Sequence, residues 1–307
     1  MFNAPQFESL PPGDPYRPLL PPLVRFVIAA IWAFGVFWGC GFVYALFPNR
    51  YLLPDIFFSI ITCTLTAAGF AVFLRVLDYN PHPLPVALAL PLDRIALRQW
   101  TTGLALGGVL IGADVVCIAF FGSLHFHLHL NRLMLVRFAA VAVLLFFAAL
   151  MEELSFRGYP FQKLTEAFGA FWSVLVLSVL FAVVHLWNPS AAGWLSWSFF
   201  NTFAVGVLLA LARIRSGSLW LPFGLHFGWN LSQGTLFGLP VSGLSDFTSL
   251  VSASVHGSRL LTGADYGPEA SLTCAVVLLL ALPLLWWLTG PSNIQHRPPS
   301  LPPQSGI

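Results

Sequence analysis

The stretch that decides the fold is "LMLVRFAAVAVLLFFAALMEELSFRG", residues 133–158. No charged residue falls between Arg137 and Glu152. With its flanks the run supplies the roughly 20 mostly apolar residues that a bilayer-spanning helix needs. It then ends on two adjacent carboxylates, Glu152 and Glu153, in a chain of which only 8% is charged. A charge at the centre of a spanning helix costs about 2.5–3.5 kcal/mol on insertion scales, so ionisable groups there mark a functional site by default. The bland alternative is that the pair marks where the helix leaves the membrane.

The rest of the chain agrees with a membrane reading. Of 307 residues, 57% are hydrophobic and the mean hydropathy is +0.80, too apolar for an ordinary soluble domain. Candidate spans are 26–47, 54–74, 101–122, 133–157, 171–188, 197–213, 219–237 and 271–289. In lipid the backbone must satisfy its own hydrogen bonds, so the fold class is all-α, a polytopic bundle of about eight spanning helices. One integral domain covers 23–290. Residues 1–22, with seven prolines, and 291–307 read as disordered tails, and there is no cleavable signal peptide or internal repeat. The Gly- and Ser-rich connection 238–270 reads as an external loop and a candidate lid.

Charge sets an orientation. With the N-terminus inside, Arg17, Arg25, Arg75, Arg94, Arg98, Arg157, Lys163, Arg213, Arg215 and Arg297 fall on the inner side, and Arg50, Arg132, Arg137 and Arg259 outside. That excess places both termini in the cytoplasm. One lysine against thirteen arginines points to a GC-rich bacterial genome, and so to the cell (inner) membrane. The expected partners are the lipid bilayer and a peptide or membrane protein; nothing points to nucleic acid. Cys40, Cys63, Cys117 and Cys274 lie in different apolar stretches, without metal-ligand spacing, and read as core residues.

Two more apolar stretches carry polar groups. "SVLFAVVHLWNP" holds Phe181 and His185, and "SLWLPFGLHFGWNLSQG" holds His226 and Asn230. Residues four apart share a helical face, so Glu153 can pair with Arg157, Phe181 lies beside His185, and His226 beside Asn230. Glu152 points about 100° away from Glu153 and is free for another task. Gly224 and Gly228, also four apart, allow close approach of another helix. For Glu152 and His185 to meet at one depth, the fourth helix must continue past Arg157 to about residue 167, with Pro160 kinking it. A stop at Gly158 would leave the two at different depths.

A carboxylate, two imidazoles and an amide suit amide hydrolysis. The carboxylate with a neighbouring His can deprotonate water, and the other His with the Asn can donate to an oxyanion. The same groups leave a second option open. Glu152, His185 and His226 could hold a divalent metal such as zinc, with a free position for water.

The three motifs "EELSFRG" (EExxxR), "FAVVH" (FxxxH) and "HFGWN" (HxxxN), in that order, resemble the CPBP family of intramembrane proteases, which takes in type II CAAX prenyl endopeptidases and bacteriocin-processing or immunity proteins. The resemblance covers about 145–235. It implies a helical-bundle peptidase in which Glu152 is the catalytic glutamate, supported by Glu153 and Arg157. It further implies that His185 helps activate water, beside Phe181, and that His226 and Asn230 form the oxyanion site. Both glutamate and metal-dependent mechanisms have been described in the family, and the Asn amide, a poor metal ligand, favours the former. Because bacteria generally lack CaaX prenylation, the expected substrate is another membrane-associated peptide or protein. Two other classes stand beside this one: a non-catalytic membrane immunity or binding protein on the same bundle, and a proton-coupled small-solute transporter, which an inverted repeat would favour.

Some residues fall outside this account. Asp114, midway along the third span, is expected to pair with a polar group of the bundle. His125, His127 and His129 alternate in "LHFHLHLNR"; on a strand they would share a face and could bind metal, but an interfacial loop is the expected state. Asp93, Arg94 and Arg98 read as an amphipathic segment on the inner surface.

Overall fold

The computed structural model describes residues 18, 20–46, 52–247 and 250–289. The two expected tails, apart from a few residues before Pro22, lie outside the described residues, as do Arg17, Arg50 and Arg297. In chain order the elements are α1 (Pro22–Ala45), α2 (Leu52–Val76), a one-turn α3 (Leu84–Ala87), α4 (Arg94–Phe121), β1 (Ser123–Leu128), α5 (Arg132–Arg157), α6 (Tyr159–Phe168) and α7 (Ala170–Val184). A 3-10 turn (His185–Trp187), α8 (Trp197–Ser216), α9 (Trp220–Leu231), a π turn (Ser232–Leu236), β2 (Val251–His256), a one-turn α10 (Arg259–Thr262) and α11 (Leu272–Leu288) follow.

The fold is a polytopic helical bundle. Among the described residues six helices are long and apolar enough to cross a membrane: 22–45, 52–76, 94–121, 132–168, 170–187 and 197–216. The other two expected spans are helices as well, α9 with its π turn and the 17-residue α11, but each is shorter. Large apolar side chains such as Ile31, Phe42, Phe120 and Trp287 face outward, as a lipid-solvated surface requires.

The basic residues separate by end. Arg25 at the start of α1, Asp78 after α2, and Lys163 and Glu166 on α6 form one buried ion-pair cluster, with Arg25–Glu166 at 3.2 Å and Lys163–Asp78 at 3.1 Å. At that end the start of α4 also meets the end of α8, where Gln99 donates to the Ser216 carbonyl at 3.0 Å. At the opposite end β1 and β2 pair antiparallel, with His125 opposite Ser254 and His127 opposite Ser252. Arg157, expected with the first group, is instead interior and 1% exposed.

The expected continuation of the fourth span to about residue 167 is met: the path runs 132–168 as one span. Its bend falls at Gly158 (φ −83°, ψ −129°), which divides it into α5 and α6. Pro160 lies in the first turn of α6, where its missing N–H costs nothing; inside one long helix its ring would strike the carbonyl four residues back. Three other expectations need correction. Residues 123–128 form a strand, not a loop, because β2 supplies a partner. The 238–270 connection is not plain loop, since it holds β2, α10 and two 3-10 turns. Asp93 is no surface anchor but the N-cap of the spanning α4, accepting from Ala96 N at 2.7 Å, with Arg94 and Arg98 in its first turns.

The packing that positions the site is the crossing of α4 and α9. A Cβ on Gly103 would lie 2.3 Å from the Leu221 carbonyl oxygen, and one on Gly107 2.2 Å from that of Leu225. In return, a Cβ on Gly224 or Gly228 would lie 2.3 Å from the carbonyl oxygen of Trp100 or Leu104. Two glycine pairs thus mesh backbone on backbone, the small-residue mode of membrane helix packing. α9 is nearly all buried, and His226 and Asn230 are carried on it.

Candidate active site

Three elements deliver the polar groups. Glu152, Glu153 and Arg157 lie on the last turns of α5, Phe181 and His185 at the end of α7 and its 3-10 turn, and His226 and Asn230 on α9. The Arg157 Nη1 donates to Glu153 Oε1 at 3.2 Å with both side chains buried. Its Nη2 donates to the Gly206 carbonyl of α8 at 3.1 Å, and its Cζ sits 4.4 Å above the Phe181 ring. Gly206 is forced small, since a Cβ there would lie 2.9 Å from Ser178 Cβ.

Glu153 has a second partner that sequence spacing did not show. Its Oε1 accepts from Nδ1 of His226 at 3.0 Å. A carboxylate on one imidazole nitrogen fixes the ring and its tautomer and leaves Nε2 for the site. His185 is fixed in the same way by the backbone. Its Nδ1 donates to the Phe181 carbonyl at 2.7 Å, and its ring packs on Phe181 with centroids 4.4 Å apart.

Both Nε2 atoms then face one atom. Glu152 Oε2 lies 4.0 Å from His185 Nε2 and 3.8 Å from His226 Nε2. These separations exceed a hydrogen bond and suit a bridging water. The same Oε2 is shielded and has no hydrogen-bond partner in the protein. Beside the imidazoles is a cavity of about 30 Å³, lined by Phe181, His185, Thr202, His226 and Asn230 among others. At about 10–15 Å³ per water-sized probe it has room for water. Glu152 approaches from the α5 side and is not part of the cavity wall.

Among the described residues no group of three or more His, Cys, Asp or Glu side chains is arranged to hold a metal ion. In a tetrahedron with metal–ligand bonds of about 2.1 Å the ligand atoms stand about 3.4 Å apart. Glu152 Oε2 stands wider than that from both imidazoles. As placed, the three groups are not a ready-made cage.

Two further cavity residues were not found from sequence. Ser242 and Glu269, from the 238–271 connection, also line the cavity. Glu269 Oε2 accepts from Gln233 Nε2 at 2.7 Å and Ser242 N at 2.8 Å, while Oε1 and Ser242 Oγ are 3.1 Å apart. Asn201 Nδ2 donates to the Glu269 and Ser271 carbonyls at 2.9 and 2.7 Å. One carboxylate therefore ties this connection to the π turn just beyond Asn230. Glu269 lies outside the spanning helices, and burial raises its pKa. The signal was faint: a lone glutamate in "GPEAS" directly before an apolar helix. Asp114 is not part of the cavity wall; it lies against Thr273 and Cys274 in the first turn of α11.

Comparison with known proteins gives one family match. Residues 134–232 match the family described as Rce1-like, type II CAAX prenyl endopeptidase Rce1-like. This is the family that the three motifs resemble, and the matched segment contains all seven motif residues while leaving out Ser242 and Glu269. The match spans less than half of the chain and is a likeness to a peptidase family, while the apolar helices indicate a multi-pass membrane protein. No curated protein matches the chain.

Proposed function

We propose that the protein is an intramembrane endopeptidase that uses Glu152 to activate water. The observation that carries this reading is the convergence of Glu152 Oε2 with two oriented Nε2 atoms, next to a water-sized cavity. A water in that gap donates one proton to Glu152, and its oxygen attacks the substrate carbonyl carbon. His185 holds the water through Nε2. The carbonyl electron pair moves to oxygen, where Asn230 and the protonated Nε2 of His226 meet it. Glu153 balances the charge of that imidazolium, and Arg157 balances Glu153. Collapse breaks the C–N bond, and the proton on Glu152 passes to the leaving amine. A positioned base of this kind contributes about 10²- to 10⁴-fold.

The charge distribution favours both termini in the cytoplasm, which puts the β1–β2 end outside, and the arginine-rich, lysine-poor composition favours a bacterial inner membrane. On that reading the substrate is an unprenylated peptide or membrane protein. The test is cleavage of an internally quenched peptide library by the detergent-purified protein, with Glu152→Gln and His226→Ala, each with and without a strong chelator. Loss in both variants with no chelator effect supports the glutamate reading. Loss on chelation, restored by zinc added back, moves the chemistry to a metal.

A further inference from the structure

The β1–β2 sheet is sided. In an antiparallel pair, residues directly opposite each other share a face. With His125 opposite Ser254 and His127 opposite Ser252, one face carries His125, His127, Ser252, Ser254 and His256. His129 continues that face, its N donating to the Leu250 carbonyl at 2.8 Å and its Nε2 lying 2.9 Å from Ser252 Oγ. The other face is apolar: Phe126, Leu128 and Val251 lie beside Leu236 and Phe237 at the end of the π turn. The polar face thus consists of imidazoles and hydroxyls, and all four histidines on it are exposed.

We propose that His125 and His256 together bind a divalent transition-metal ion of the zinc, nickel or copper type. The two lie on neighbouring strands, one diagonal step apart, and their ring centroids are 6.4 Å apart. Two imidazoles on one ion with metal–nitrogen bonds of about 2.1 Å have centroids about 5 Å apart. Binding one ion between them therefore requires the two exposed rings to approach by about 1.4 Å. Imidazole nitrogen is a preferred ligand of these ions, while a carboxylate face would favour calcium or magnesium instead. Two protein ligands leave positions for water, and Ser254, directly opposite His125, is placed to hold one of those waters. His127 stands too far along the strand from His256 to join the same ion.

The site has a structural consequence. An ion held between the strands cross-links the α4–α5 connection to the 238–271 connection, which carries Ser242 and Glu269 to the cavity. It also complicates any metal analysis of the enzyme, because an ion found in the protein can belong to this face rather than to Glu152, His185 and His226.

The test is titration of the full-length, chelator-stripped protein in detergent with Zn²⁺ or Ni²⁺ alone, read by calorimetry and by thermal unfolding. The wild type is compared with His125→Ala, His256→Ala, and the double variant Glu152→Gln/His226→Ala. The proposal expects binding to weaken at least tenfold in each sheet variant, with the metal-induced rise in melting temperature lost. It expects both to persist in the double variant. Binding unaffected by His125→Ala and His256→Ala, or abolished by the double variant, overturns it. Because neither readout is peptide cleavage, failure here leaves the peptidase reading untouched.

Discussion

Glu153 on α5 holds His226 on α9 through Nδ1 at 3.0 Å, and it does so with the same oxygen that receives Arg157 at 3.2 Å. The second glutamate of the pair therefore acts on the site through an imidazole, while Glu152 faces the gap itself. Breaking a buried pair of this kind leaves an uncompensated charge and costs about 3–5 kcal/mol. Glu153→Ala is expected to lower the unfolding midpoint strongly in detergent. Glu153→Gln, which keeps an acceptor for His226, is expected to fold and to lose activity by about 10- to 100-fold, the usual range for groups that orient a histidine ligand or base. Circular dichroism melts and cleavage rates separate the two effects.

The oxyanion assignment makes its own demand. Asn230→Ala is expected to lower kcat by about 10²- to 10³-fold with little change in KM, the signature of one lost donor. Asn230→Asp, which removes the donor and keeps the size, is expected to match it. A rise in KM at constant kcat would instead make Asn230 a substrate-binding residue.

The α4–α9 crossing is expected to be intolerant of volume. Gly107→Val drives a branched side chain into the Leu225 carbonyl, and Gly228→Val does the same at Leu104. Overpacking of this kind costs about 1–3 kcal/mol or more. Gly35 and Gly39 on α1 have nothing within 4 Å of a built Cβ, so alanine there is expected to be neutral. Thermal unfolding of the four single variants checks the contrast.

Glu269 gives a pH dependence with a definite sign. Burial raises its pKa, so the folded chain binds this proton more tightly than the unfolded chain does. Its stabilising contribution is full below the unfolded value of about 4.3 and is lost as pH rises through the folded value. The stability of Glu269→Gln relative to wild type is therefore expected to increase as pH is raised from about 4. Melting curves at stepped pH measure it; a constant difference would show that Glu269 does not titrate in that window.

How much of this was legible in the sequence depends on the range of each contact. The Glu153–Arg157 pair, the placement of Phe181 beside His185 and the close approach at Gly224 and Gly228 follow from spacing along the chain, and they read directly. The Glu153–His226 bond joins residues 73 positions apart on crossing helices, and no local pattern encodes it. The break at Gly158 was half visible, because Pro160 announces a disturbance but does not say whether the helix bends or restarts. The alternation in "LHFHLHL" is a strand pattern, but its partner, 251–256, lies more than a hundred residues away, beyond the reach of any local signal. Glu269 stayed hidden because a loop carries no period from which its direction could be read.

The most direct test of the central claim is the cleavage rate of Glu152→Gln against wild type, on one peptide substrate in detergent with chelator present throughout. Gln keeps the shape of Glu152 and removes its capacity to take a proton. The account predicts robust wild-type cleavage in chelator and a loss of at least about 100-fold in the variant. Cleavage by Glu152→Gln at the wild-type rate would contradict it.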